Sequence, residues 1–181
     1  MSKLHERAAA KVTTLLNITR QGWIAYAIAA LTVALDQASK LWILHGLDLP
    51  SQGTIPLPGP VDLTMVWNKG MSFGLLSGHA EWARWLLTGF STLVVVALAI
   101  WARKAVKPLM AIGLGLIIGG AIGNNLIDRV IYGAVADFID VRALYFPWIF
   151  NVADAGISVG VVFLLLDSFI NGEEKLAHQT E

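Results

Sequence analysis

The chain has 181 residues, 56% hydrophobic and only 14% charged, and its 13 basic and 13 acidic side chains cancel. Soluble domains carry nearer a quarter charged residues, so this balance and a mean hydropathy of +0.64 exclude an ordinary soluble domain and point to an integral membrane protein. Zero net charge sets up no field to draw nucleic acid, and the absence of cysteine removes disulfides, thiolate nucleophiles and thiolate metal sites together.

Residues 1–21 are polar and Ala-rich and read as a cytoplasmic segment, with a surface helix possible there. A membrane-spanning helix needs about 20 apolar residues. Residues 23–44, 85–102, 108–127 and 152–170 meet that need, so four spans are expected within a membrane domain over 22–170. The basic start and the AIAAL stretch resemble a signal peptide. The leader is too long for one, and the apolar run continues past Asp36 to Leu44, so the first span is read as retained. Lys3, Arg7, Lys11 and Arg20 precede it, and Arg103, Lys104 and Lys107 fill the short loop between spans two and three. The positive-inside rule puts these segments, both termini and the tail 171–181 in the cytoplasm. The connections 46–84 and 128–151 then lie outside.

The outer connection after span one differs from the spans. SQGTIPLPGP (51–60) is turn-rich, with three prolines and two glycines. VDLTMVW (61–67) alternates and is β-branched, which predicts a short strand. A small β element is expected over about 47–75, followed by a short interfacial helix over 76–84. Trp67, Trp82, Trp85 and Trp148 fit an aromatic belt at the outer interface. Span three carries Gly113, Gly115, Gly119, Gly120 and Gly123, which suit close helix approach.

The polar residues of the spans fall at one level. Asp36 and Lys40 lie four apart in the outer half of span one, on one helix face. Asn125, Asp128 and Arg129 end span three, Asp137 and Asp140 follow in what reads as a loop, and Asn151 and Asp154 begin span four. Asn68 can join them from the outer connection. Ionisable residues inside a membrane are costly and mark function by default. Histidines 5, 45, 79 and 178 show no metal-ligand spacing, no GxSxG occurs, and Ser39 and Lys40 are adjacent on a helix and do not face each other. Carboxylate chemistry remains. Two close carboxyl groups share one proton, so one can take a proton from water while the other donates to a carbonyl oxygen. Asp137 and Asp154 suit this best, with Asp140 as the competing candidate. A transporter or proton pathway would need acids along the whole span, yet they gather at one face. A scaffold with structural ion pairs predicts that the aspartates tolerate Asn.

Five blocks, DQASK (36–40), NKGMSFG (68–74), GNNLIDR (123–129), GAVADFID (133–140) and FNVADAGI (150–157), resemble those of the bacterial lipoprotein signal peptidases, type II, over roughly residues 23–170. The resemblance implies a mainly α integral membrane fold, with four transmembrane helices, a small extracytoplasmic β-cradle and a short interfacial helix. It implies an aspartic endopeptidase of the bacterial inner membrane that removes signal peptides from diacylglyceryl-modified prolipoproteins, cutting before the lipidated cysteine. No metal or cofactor is expected. By the same match Asp137 and Asp154 are the catalytic pair, and Asp36, Lys40, Asn68, Gly70, Asn125, Arg129, Asn151 and Ala153 shape or support the site. Lipid-modified prolipoproteins, membrane lipid and a globomycin-type inhibitor are the implied partners, and a monomer the implied state. GNNLIDR has an extra Asn relative to the commoner GNLIDR or GNLYDR. Asn125 is aligned by its spacing to Asp128 and Arg129, with Asn124 as the alternative.

Overall fold

The computed structural model describes residues 17–70 and 80–177. Helix α1 (Arg20–Leu41) is capped by Thr19, whose hydroxyl accepts the N–H of Gly22 at 2.9 Å. It runs into a wide π-helical turn, Trp42–Gly46, closed by the Leu47 N–H on the Trp42 carbonyl at 2.9 Å. A short helix α2 (Leu49–Gln52) and strands β1 (Thr54–Ile55) and β2 (Asp62–Asn68) follow. Helix α3 (Ala80–Ala102) returns across the molecule. Helix α4 (Pro108–Ala121) opens on a proline whose missing N–H costs nothing at a helix start. It continues through a second π-helical stretch, Ile122–Asp128, into α5 (Arg129–Ile131). Strand β3 (Val135–Asp140), a 3₁₀ turn at Arg142–Leu144 and β4 (Ile149–Phe150) lead into α6 (Val152–Ala177).

Four helical stretches are long and apolar enough to cross a membrane: Arg20–Gly46, Glu81–Ala102, Pro108–Ile131 and Val152–Ile170. They match the four expected spans. The third is the central one, since 56% of its window is buried against 11% for the second and the fourth. Its glycines make that position possible. A Cβ at Gly119 would stand 2.6 Å from the Ala29 carbonyl of α1, and one at Gly120 would stand 2.5 Å from the Ala153 carbonyl of α6. Both neighbours therefore pack directly on the α4 backbone. At one end of the bundle, the Thr19 N–H and hydroxyl donate to the carbonyls of Arg103 and Ala105, tying the start of α1 to the α3–α4 loop.

The strands form one antiparallel sheet in the order β1-β2-β3-β4, with an irregularity between Leu63 and Val66. Side chains alternate along β3. Phe138 enters an apolar cluster with Ile43 and Leu49, and Asp137, one residue earlier, points the other way. The structure corrects two expectations. Asp137 sits on an inner strand of the sheet rather than on a loop, because VADFID pairs with both β2 and β4. Residues 80–84 do not form a separate interfacial helix. They are the first turns of α3, whose apolar pattern continues without a breaker. Residues 1–16, 71–79 and 178–181 lie outside the described residues. The expected N-terminal surface helix, the end of NKGMSFG and residues 76–79 fall there.

Candidate active site

The second carboxylate is positioned by a helix start. Asn151 is the N-cap of α6: its Oδ1 accepts the Asp154 N–H at 3.0 Å, and Asp154 Oδ2 accepts the Asn151 N–H at 3.2 Å. This reciprocal pair is a capping box with Asn and Asp in place of the commoner residues. The Asn151 amide also donates to Asp137 Oδ1 at 2.7 Å. One buried asparagine therefore holds both aspartates. Asn68, at the end of β2, donates to the other oxygen, Asp137 Oδ2, at 3.0 Å. The Asn68 Oδ1 meanwhile accepts the Gly70 N–H at 2.8 Å, in a turn that needs the positive φ of +75° at Gly70.

Behind the aspartates lies a buried ionic cluster. Lys40 Nζ stands 2.8 Å from Asp36 Oδ2 and 2.8 Å from Asp128 Oδ2, and donates to Asn124 Oδ1 at 2.7 Å. Asp36 Oδ1 accepts the Ala153 N–H at 3.0 Å, and Asp128 Oδ2 accepts the Ala136 N–H at 3.1 Å. Ala153 precedes Asp154 and Ala136 precedes Asp137. One ammonium thus joins two carboxylates, each gripping the backbone just before one of the aspartates. A buried charge without such partners would cost several kcal/mol. Asn124 completes the link, since Lys40 turns its oxygen inward and its amide donates to Asp154 Oδ1 at 2.8 Å.

The sequence reading placed Asn125 here. Asn125 instead accepts the Arg129 Nε–H at 3.0 Å. Asn125 thus keeps the four-residue spacing to Arg129, while Asn124, one position earlier in the π-helical stretch, faces Lys40 and Asp154. Arg129 is buried beside Gly70, where an added Cβ would meet its guanidinium at 3.0 Å. Asn124, the alternative in the sequence alignment, is the bridge; sequence reasoning missed Gln37, whose amide donates to Asp36 Oδ2 and Asp128 Oδ1 at 3.0 and 3.1 Å. The Asn151-x-x-Asp154 spacing was a capping signal that could have been read directly.

Asp137 and Asp154 line one cavity of about 580 Å³ together with Asn68, Phe146, Trp148 and Ser158. Asp137 lies outside the spans, and burial pushes its carboxyl up to about 6. The charge of Asp154 adds to that rise, while the amides of Asn68 and Asn151 oppose it. Asp140 differs. Arg142 bonds it at 2.6 Å and holds its carboxyl well below the usual carboxylate range, while the Thr64 hydroxyl donates to it at 2.8 Å.

A family model for signal peptidase (SPase) II matches residues 28–170. The chain belongs to the signal peptidase II family. A protein of Caulobacter vibrioides named lipoprotein signal peptidase is 69% identical over 166 residues, covering 92% of this chain and 98% of its own. One of the same name in Rhodopseudomonas palustris is 46% identical over 147 residues, covering 78% and 89%. A bacterial membrane enzyme solved by the in meso method aligns with a TM-score of 0.68 at 28% identity, covering 83% of this chain and 90% of its own. Signal peptidase II membership and the four apolar helices make this a multi-pass bacterial membrane protein with a peptidase fold.

Proposed function

We propose that this protein is an aspartic endopeptidase that removes signal peptides from lipid-modified prolipoproteins, with Asp137 and Asp154 as its catalytic pair. The observation that carries the reading is the double engagement of Asn151, which turns both carboxyl groups into one cavity. In this reading the pair shares one proton, carried by Asp137, whose carboxyl is raised to about 6 and is increasingly protonated as pH falls toward that value. Asp154 accepts from the Asn124 amide and the Asn151 N–H, donors suited to a carboxylate. A water between the two loses a proton to Asp154 and attacks the peptide carbonyl, whose oxygen takes the proton of Asp137. Collapse of the tetrahedral intermediate returns a proton to the leaving amine, with no covalent enzyme intermediate.

Asp36, Lys40, Asn124, Asn151 and Ala153 position the pair, and Asn68, Gly70, Arg129 and Asn125 shape its outer side. In this reading the cavity lies at the outer face of the inner membrane and both termini are cytoplasmic, a topology that the basic loops support through the positive-inside rule. A globomycin-type inhibitor would occupy the same cavity, and the protein would act as a monomer. The test is cleavage of a diacylglyceryl-modified prolipoprotein by purified protein in detergent. Wild type and Asp140→Asn should cut, and Asp137→Asn and Asp154→Asn should not. Near wild-type cutting by either of the last two would overturn the assignment.

A further inference from the structure

Residues 143–148, Ala-Leu-Tyr-Phe-Pro-Trp, are apolar or aromatic and all exposed. Tyr145 is 99% exposed and Trp148 61%. A run of this kind is an error in a water-facing loop unless something covers it. It carries no charge, and the cation that precedes it, Arg142, is engaged by Asp140. The stretch lies outside the spans; it begins within the 3₁₀ turn and ends at β4, and only β4 and Asn151 separate it from α6.

Two observations say what covers it. Phe146 and Trp148 line the same cavity as Asp137 and Asp154. The lining of that cavity also includes Val159, and Val159, Val162 and Leu166 are exposed at i, i+3 and i+7 along α6. That stripe lies within the fourth span, so it faces acyl chains. The cavity therefore opens onto the lipid-facing surface, and the loop is continuous with that surface. Tyr and Trp are the residues that settle at the boundary of headgroups and acyl chains.

We propose that residues 143–148 seat in the outer leaflet and form the lipid-side door of the catalytic cavity. Leu144 and Tyr145 enter the boundary layer, and Phe146 and Trp148 wall the passage from the bilayer to the aspartates. The door rests on the function proposed above, since it assumes a lipid-bearing substrate. The seating does not.

The chain has no cysteine, so one label can be placed cleanly. Tyr145→Cys, Leu93→Cys and Lys104→Cys would each carry an environment-sensitive fluorophore in vesicles of phosphatidylglycerol and phosphatidylethanolamine. Leu93 is exposed midway along α3, and Lys104 lies exposed in the α3–α4 loop. Shallow brominated lipids should quench the Tyr145 label, deep ones the Leu93 label, and aqueous iodide only the Lys104 label. Iodide quenching at Tyr145 would place the loop in water and overturn the proposal. Insensitivity to both quenchers would mean that protein covers it, with the same result. For the door, Leu144→Ser with Tyr145→Ser should raise KM for a vesicle-embedded lipidated substrate about tenfold at unchanged kcat. The KM for a short-chain analogue in detergent should stay constant. Equal KM effects on both substrates would remove the door and leave the seating. If wild type cuts neither substrate, the function proposed above fails, while the quenching still decides the seating.

Discussion

Asn151 donates its amide to Asp137 at 2.7 Å while its own oxygen caps the helix whose first turn carries Asp154. A strand residue and a helix residue 17 positions apart are thereby set by one side chain. Asn151→Asp keeps a capping oxygen but replaces the donor to Asp137 with a third carboxylate. Helix content should hold, while kcat falls at least about a hundredfold, in line with the loss of a preorganised polar contact. Circular dichroism and steady-state cleavage separate the two effects. Unchanged kcat would show that the amide does not position Asp137.

The two neighbouring asparagines should separate in the same assay. Asn124→Ala breaks the link from Lys40 to Asp154, whereas Asn125→Ala frees only the Arg129 Nε–H. The loss of kcat should be at least about tenfold larger for the first, the scale of one charge-assisted hydrogen bond. Equal losses would argue against the bridge.

The spans and the gathering of polar residues at one level were legible because hydropathy reports directly on the bilayer. Asp36 and Lys40 were legible as a pair because four residues is a regular helical repeat, and their 2.8 Å contact bears that out. The choice between Asn124 and Asn125 was not. The four-residue spacing links Asn125 to Arg129, as found, but nothing in the periodicity announces the π-helical turn in which Asn124 faces Lys40 and Asp154. The strand nature of VADFID was hidden too: it is buried on both faces, so it lacks the clean alternation of a half-buried strand.

Lys40→Met should expose how much the buried cluster depends on its cation. Asp36 and Asp128 would face each other uncompensated, at a cost of about 3–5 kcal/mol. Thermal unfolding in detergent, followed by tryptophan fluorescence, reads this out. Adding Asp36→Asn and Asp128→Asn should recover most of the lost stability. A single variant as stable as wild type would show that the cluster carries no net charge burden.

Activity should fall as pH rises through the Asp137 value of about 6, because the mechanism needs one proton on the pair. The Asn68 amide favours the ionised form, so Asn68→Ala should move this alkaline limb to higher pH. The stability sign follows from a folded value above the ordinary 3.8. The contribution is fully present below the ordinary value and is lost as pH rises through about 6. Asp137→Asn should therefore gain melting temperature relative to wild type above pH 6 and lose that advantage below it. A flat activity profile across this range would sink the proton assignment.

Gly120→Val should push α6 off α4, since its Cβ would meet the Ala153 carbonyl at 2.5 Å and Ile157 at 2.6 Å. Overpacking of this kind costs about 1–3 kcal/mol, and here it also displaces the residue before Asp154. Gly89→Val is the control, because nothing lies within 4 Å of a Cβ there. Detergent melting curves for the two should differ. Equal behaviour would mean that the helices can part without consequence.

The π-helical stretch Ile122–Asp128 has a consequence for how this helix accommodates insertions. In a regular α-helix one added residue rotates everything after it by about 100°, which would turn Asp128 and Arg129 away from the site. A wide turn takes up the added residue locally, with the Arg129 N–H reaching back to the Asn124 carbonyl. The doubled asparagine of GNNLIDR lies within this turn. Gly113, Gly115, Gly119 and Gly120 before it keep their seats on the neighbouring helices, and Asp128 after it keeps its hold on Ala136. The turn works as an expansion joint, letting the length of a membrane helix vary next to the chemistry without moving either side of it.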